Sequence, residues 1–278
     1  MLEQTYAQQR LGLTARWTAG VRAQESRRPD RLFDDRWAAV LAGLDGKEWG
    51  EHQSADNGIS IVVRTRFFDD WLERVTGQYR LEQVVLMAAG LDARAFRLDW
   101  PAQTRLFELD QPQVLTYKEQ VLAAAGAQPA CERKTIMVDL THSWREALAQ
   151  AGFDSGRPSA WLLEGFLEYL PNAQITRILD EITSQAAPTS RLGFDIVNST
   201  MLTSPWTQAM VESLSKFGTP WIGTLDDPAA ELAARGWQAT LTQPGEAGAN
   251  YGRWTYPVIP QNLPNMPRYW WVTAQKNG

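Results

Sequence analysis

The sequence predicts an α/β protein: a seven-stranded, mostly parallel sheet with a helical cap before it and lid helices ahead of its last two strands. Two observations carry this. Between Val84 and Val197, five short apolar runs alternate with helical stretches, the pattern of parallel strands joined by helical crossovers. After them come two more helical segments and a final pair of strand-like runs.

In chain order, apolar residues at helical spacing predict helices over 14–21, 32–41 and 59–75, the second placed behind the start signal Pro29-Asp30. Strands are expected over 84–89, 106–109, 135–138, 160–163 and 192–197, with helices over 111–125, 144–151 and 172–184 between them. Helices over 205–217 and 228–235 then lead to strands over 237–243 and 269–274, separated by a Gly/Pro/Asn-rich loop that contains Tyr251-Gly252-Arg253-Trp254. With no internal repeat and no long linker, the chain reads as one domain, with a cap over 1–80, a core over 81–200 and lid helices with the last strand pair over 201–278.

Bulk properties narrow the partners. A hydrophobic content of 44% over 278 residues suffices for a large core. The net charge of -5 comes with no basic run that could track a phosphate backbone, so nucleic acid is not expected as a partner. The start of the chain lacks the order of a secretory leader, and the longest apolar stretch, 84–91, is under half of the roughly 20 residues a membrane span needs. A single cysteine, Cys131, allows no internal disulfide. These features point to a cytoplasmic protein without a membrane partner; the oligomeric state stays open. Thirteen tryptophans leave two readings, an aromatic pocket or packing.

In open parallel sheets, ligands sit outside the carboxyl ends of the strands. The first strand ends in Ala88-Ala89-Gly90-Leu91-Asp92, where Gly90 lets the backbone pass beneath a ligand. Asp110 ends the second strand, 20 residues after Gly90, where a carboxylate typically accepts from ribose hydroxyls. Asp139 ends the third, as an acceptor for an adenine amino group or as a helix cap. Glu164 interrupts the apolar fourth strand and needs a cationic partner, either the ammonium of a bound amino acid or an internal arginine.

The segments RTRFFDDWL, AAGLDAR, FELDQP, VDL, LLEGFLEYLP and GFDIVN, in this order, resemble the S-adenosyl-L-methionine (SAM)-dependent leucine carboxyl methyltransferase family, above all its bacterial branch with polyketide O-methyltransferases of the tetracenomycin type. The resemblance spans 14–274 and implies a Rossmann-like class I methyltransferase fold, with SAM as cofactor and a small-molecule acceptor. It implies that Arg64 binds the cofactor carboxylate, Gly90 underlies the methionine portion, and Asp110 holds the ribose. Asp139 and Leu140 would hold the adenine, Glu164 the amino group, and Arg22 would help close the site. Ala88 stands where the family usually has the first glycine of its loop, which requires that Ala88 keep φ below zero.

Transfer from a sulfonium to a carboxylate needs alignment more than a base, whereas a phenol or alcohol needs one. His52 is expected in a polar loop, and helix capping accounts for His142, so a carboxylate acceptor is expected. Glu168, Tyr169, Asn198, Thr200, Met201 and the helix of Trp206 are expected to form the acceptor pocket, with Arg253 as an anchor for an acidic acceptor or a surface arginine. A SAM sensor without activity shares these cofactor residues. A nicotinamide oxidoreductase fits worse, because the loop offers one glycine where G-x-G-x-x-G has three.

Overall fold

The computed structural model describes residues 2–52, 55–216 and 218–278. Three helices come first: α1 (Leu2–Ser26), α2 (Ala38–His52) and α3 (Ala55–Glu73), the last running into a π-helical turn, Arg74–Gln78. The alternating region is β1 (Gln83–Met87), α4 (Arg94–Arg97), β2 (Arg105–Asp110), α5 (Pro112–Ala124), β3 (Glu132–Met137), α6 (Arg145–Gln150), β4 (Ser159–Leu163), α7 (Asn172–Gln185) and β5 (Arg191–Val197). Then follow α8 (Ser199–Thr203), α9 (Gln208–Lys216), α10 (Pro228–Ala233), β6 (Trp237–Thr242) and β7 (Tyr269–Lys276). Among the described residues, no helix is long and apolar enough to cross a membrane.

The strands form one sheet in the order β3-β2-β1-β4-β5-β7-β6. β1 to β5 are mutually parallel, and β7 runs antiparallel to both its neighbours. The chain's direction of travel across the sheet reverses at β1 and β4, which opens a crevice at their carboxyl ends. β1 and β4 are buried at every position because both faces are covered. Val85, Met87, Phe107, Trp161 and Leu163 pack on one side with Ile175, Ile178, Leu179 and Ile182 of α7. Val84, Leu86, Leu106, Ala160 and Leu162 pack on the other with Phe68, Trp71 and Leu72 of α3.

Two helix expectations are corrected. The segment 32–37 is irregular, and α2 begins only at Ala38. The Asp35 carboxylate accepts from Arg22 Nε at 3.0 Å and from the Trp37 backbone N–H at 3.2 Å, while the Asp35 N–H donates to Ser26 Oγ at 2.8 Å. These contacts replace a first helical turn. The helix expected over 205–217 begins only at Gln208, as α9, because 205–207 form a turn; α8 before it was not expected, and Phe217 is outside the described residues.

Candidate active site

A cavity of about 370 Å³ lies at the carboxyl ends of β1 to β4, roofed by α1, α3 and the segment 218–222. Arg22, Arg64, Ala88, Gly90, Asp110, Asp139, Leu140 and Glu164 all line it, as does Tyr169. Arg22 ties α1 to the first strand-end loop, its Nη2 donating to the Leu91 carbonyl at 2.7 Å.

Arg64 and Glu164 form the polar centre. Arg64 Nε donates to Glu164 Oε1 at 3.0 Å, while Nη1 donates to Asp195 Oδ2 and to the Tyr269 hydroxyl, both at 2.7 Å. A guanidinium has five N–H donors. Nε and Nη1 are thereby used, and Nη2 has no hydrogen-bond partner among the described residues. Glu164 Oε2 lies 2.8 Å from Arg94 Nη2, yet it is buried without a properly angled hydrogen bond. The internal arginine expected for Glu164 is present twice over, as Arg64 and Arg94. One ion pair thus leaves a donor edge and an acceptor oxygen for a ligand, complementary to the carboxylate and ammonium of an amino acid. Burial alone would lower the Arg64 pKa, but Asp195, Tyr269 and Glu164 raise it well above the ordinary value.

The adenosine side is built from strand ends. Asp110 accepts from the Gly90 and Gln111 N–H groups, both at 2.6 Å. Burial raises its carboxyl pKa above the usual range, against those two hydrogen bonds. Asp139 does not cap α6; its Oδ1 accepts from Thr141 N and Oγ at 2.9 and 2.7 Å, and Trp144, the residue before α6, offers no side-chain cap. Arg177 Nη2 holds the Leu140 carbonyl at 2.8 Å. Gly90 has φ +48, and an added Cβ would meet atoms no closer than 3.8 Å, so backbone conformation rather than space calls for glycine.

Ala88 corrects the requirement placed on it, since its φ is +51. A left-handed alanine costs roughly 1–2 kcal/mol, part of which glycine returns as unfolded-state entropy. Ala88→Gly is therefore expected to stabilise the protein by about 0.5–1 kcal/mol in denaturant unfolding. An unchanged or lowered midpoint would contradict the strain.

Of the residues expected at the acceptor pocket, Tyr169 lines the cavity, whereas Glu168, Asn198, Thr200, Met201, Trp206 and Arg253 do not. Asn198 caps α8, accepting from Met201 N at 3.1 Å, and donates to the Met266 carbonyl at 2.9 Å. Trp206 is 73% exposed. Arg253 pairs with Glu25 at 3.1 Å and Asp30 at 2.9 Å, fastening the C-terminal loop to the end of α1. Among the described residues no tryptophan lines the cavity; Trp161, Trp237 and Trp271 are core residues. His142 is exposed and lies against Thr141 and Asp139, and the side chain of His52 is outside the described residues. Burial pushes the half-buried Cys131 thiol up to about 12, which keeps it unreactive.

Sequence reasoning missed Asp195, Tyr269 and Arg94. Asp195 carries the same signal that singled out Glu164, a carboxylate interrupting an apolar strand.

The family model described as leucine carboxyl methyltransferase matches residues 15–183. A candidate SAM-dependent methyltransferase of Parafrankia sp. is 42% identical over 279 residues, covering 96% of this chain and 87% of its own length. Another, from Mycolicibacterium gilvum, is 40% identical over 261 residues, covering 85% and 86%. Among solved structures, a candidate methyltransferase of Thermobifida fusca aligns with a TM-score of 0.60 at 20% identity, over 90% of this chain and 95% of that one. At that identity the likeness is one of fold.

Proposed function

Because this chain belongs to the leucine carboxyl methyltransferase family and is a SAM-dependent methyltransferase, we propose that it methylates a carboxylate oxygen of a small acid, polyketide-like or another secondary metabolite. One observation carries the choice of oxygen: among the described residues the cavity lining offers no histidine, and its acceptor-side hydroxyl is not a base. Tyr169 is raised to about 12, first by burial and then by the Glu168 carboxyl, so it stays neutral and donates. A carboxylate needs such a donor and no base; a phenol needs a base.

SAM supplies a methyl group already activated on a sulfonium. Arg64 and Glu164 would hold its amino-acid end, Asp110 the ribose, and Asp139 with Leu140 the adenine. Tyr169 would hold the acceptor oxygen, between the apolar walls of Phe166, Leu170, Pro220 and Ile222. Alignment of this kind contributes up to roughly 7–11 kcal/mol of a barrier.

The test is turnover of aromatic and polyketide-like acids against their phenol analogues, read as S-adenosylhomocysteine and base-labile methyl ester. With a carboxylate, kcat stays nearly flat above the acid's own pKa, because no enzyme group must lose a proton. His142→Ala should keep most of the activity. A kcat that titrates near neutral pH and vanishes with His142, or a product methylated only on a phenol, would overturn the choice of acceptor.

A further inference from the structure

Asp195 sits fully buried on β5, outside the roles assigned so far. Its Oδ1 accepts from the Gly165 N–H at 2.7 Å. Its Oδ2 accepts from Arg64 Nη1 and from the Tyr269 hydroxyl, and that hydroxyl accepts in turn from the same Nη1. The three groups close a triangle. β7 supplies Tyr269 because its antiparallel register opposes Val197 with Tyr269 and Asp195 with Trp271, which puts Asp195 and Tyr269 diagonally on one face. Gly165, at φ +64, keeps the approach open: a Cβ there would lie 2.9 Å from Arg64 Nη2.

The alternative geometry explains what the triangle does. An arginine left to one carboxylate favours a bidentate fork, two parallel N–H···O bonds. For Arg64 and Glu164 that fork would consume Nη2 and Oε2 together, the donor and acceptor left for a ligand. We propose that Asp195 and Tyr269 are positioning residues for the cofactor: by engaging Nη1 they hold the Arg64 guanidinium off the Glu164 fork and keep its Nη2 edge free for the cofactor carboxylate. The neighbouring Glu168 supports this division of charge. Burial and the adjacent Asp195 carboxylate raise its carboxyl pKa well above the ordinary range, while the side-chain hydrogen bonds from Arg64 Nη1 and the Tyr269 hydroxyl both go to Asp195.

The inference rests on Arg64 as the ligand of the cofactor carboxylate, so the test separates the two. Calorimetry compares SAM with 5′-methylthioadenosine, which keeps the adenosine half and lacks the amino-acid end. Asp195→Asn should weaken SAM about tenfold or more and Tyr269→Phe about threefold to tenfold, with 5′-methylthioadenosine affinity unchanged in both. In an Arg64→Lys background, itself about tenfold weaker for SAM, Asp195→Asn should add less than about twofold. Equal losses for both ligands, or an undiminished SAM affinity, would overturn the positioning role. If Arg64→Lys binds SAM like the wild type, the underlying assignment of Arg64 falls instead. Should Asp195→Asn fail to fold, Tyr269→Phe decides with the same two ligands, since a phenylalanine preserves the ring contacts with Trp221 and Trp271.

Discussion

Glu164→Ala is expected to weaken SAM binding by about 1–3 kcal/mol and to destabilise the fold by about 3–5 kcal/mol. The binding loss follows from a ligand ammonium left without its carboxylate in a site shielded from water. The stability loss follows from the two arginines that share Glu164: Arg64 and Arg94 have side chains only 12% and 4% exposed, and both would lose an anion. Asp195 still faces Arg64, and Asp69 and Asp92 still face Arg94, which keeps the effect from running higher. Glu164→Gln separates the two consequences, since it keeps the shape and an acceptor for Arg64 Nε but loses the charge. Denaturant unfolding and calorimetry on both variants check this. A Glu164→Ala protein with unchanged SAM affinity would remove Glu164 from the site.

Glu108→Leu should cost about as much without touching the cavity. Lys118 is fully buried on α5, and its ammonium meets Glu108 at 2.6 Å; Arg133 meets the same oxygen at 2.7 Å. Arg133 keeps Glu119, also at 2.7 Å, but Lys118 would be left as an uncompensated buried cation. Breaking such a pair costs about 3–5 kcal/mol, whereas replacing both members with apolar groups is often neutral. Glu108→Leu with Lys118→Met should therefore recover most of the loss in unfolding experiments. A double variant no more stable than the single one would show that packing, and not charge, was the cause.

The central strands were legible because burial on both faces leaves continuous apolar runs, and the seven expected strands match β1 to β7 within a few residues even at β3 and β6, which are largely exposed or half-buried. The cofactor side was legible for a related reason, since a carboxylate ending or interrupting such a run, as at Asp110 or Glu164, has no packing purpose. What failed depended on distant partners. Arg253 reads as a possible anchor until Glu25 and Asp30, more than 220 residues earlier, are seen to hold it. The segment 32–37 has helical spacing, but Asp35 is held by Arg22 and Ser26. Tyr269 has no local signal at all, because its role depends on which strand β7 lies beside. The left-handed backbone of Ala88 is likewise invisible in a residue type that normally avoids it.

The placement of β7 also bears on how the sheet is put together. β1 to β5 follow one another along the chain so that each new strand has a partner already made, β2 and β4 on β1, β3 on β2 and β5 on β4. β6 cannot join them, because its neighbour in the sheet is β7 and not β5. Without the segment Tyr269–Lys276 between β5 and β6, the edge of β5 is open and Asp195 and Arg64 lack the Tyr269 hydroxyl. The Arg64–Asp195–Tyr269 triangle can therefore close only with the sheet itself, which ties the shape of the cavity's polar centre to the one strand that runs against the others on both sides.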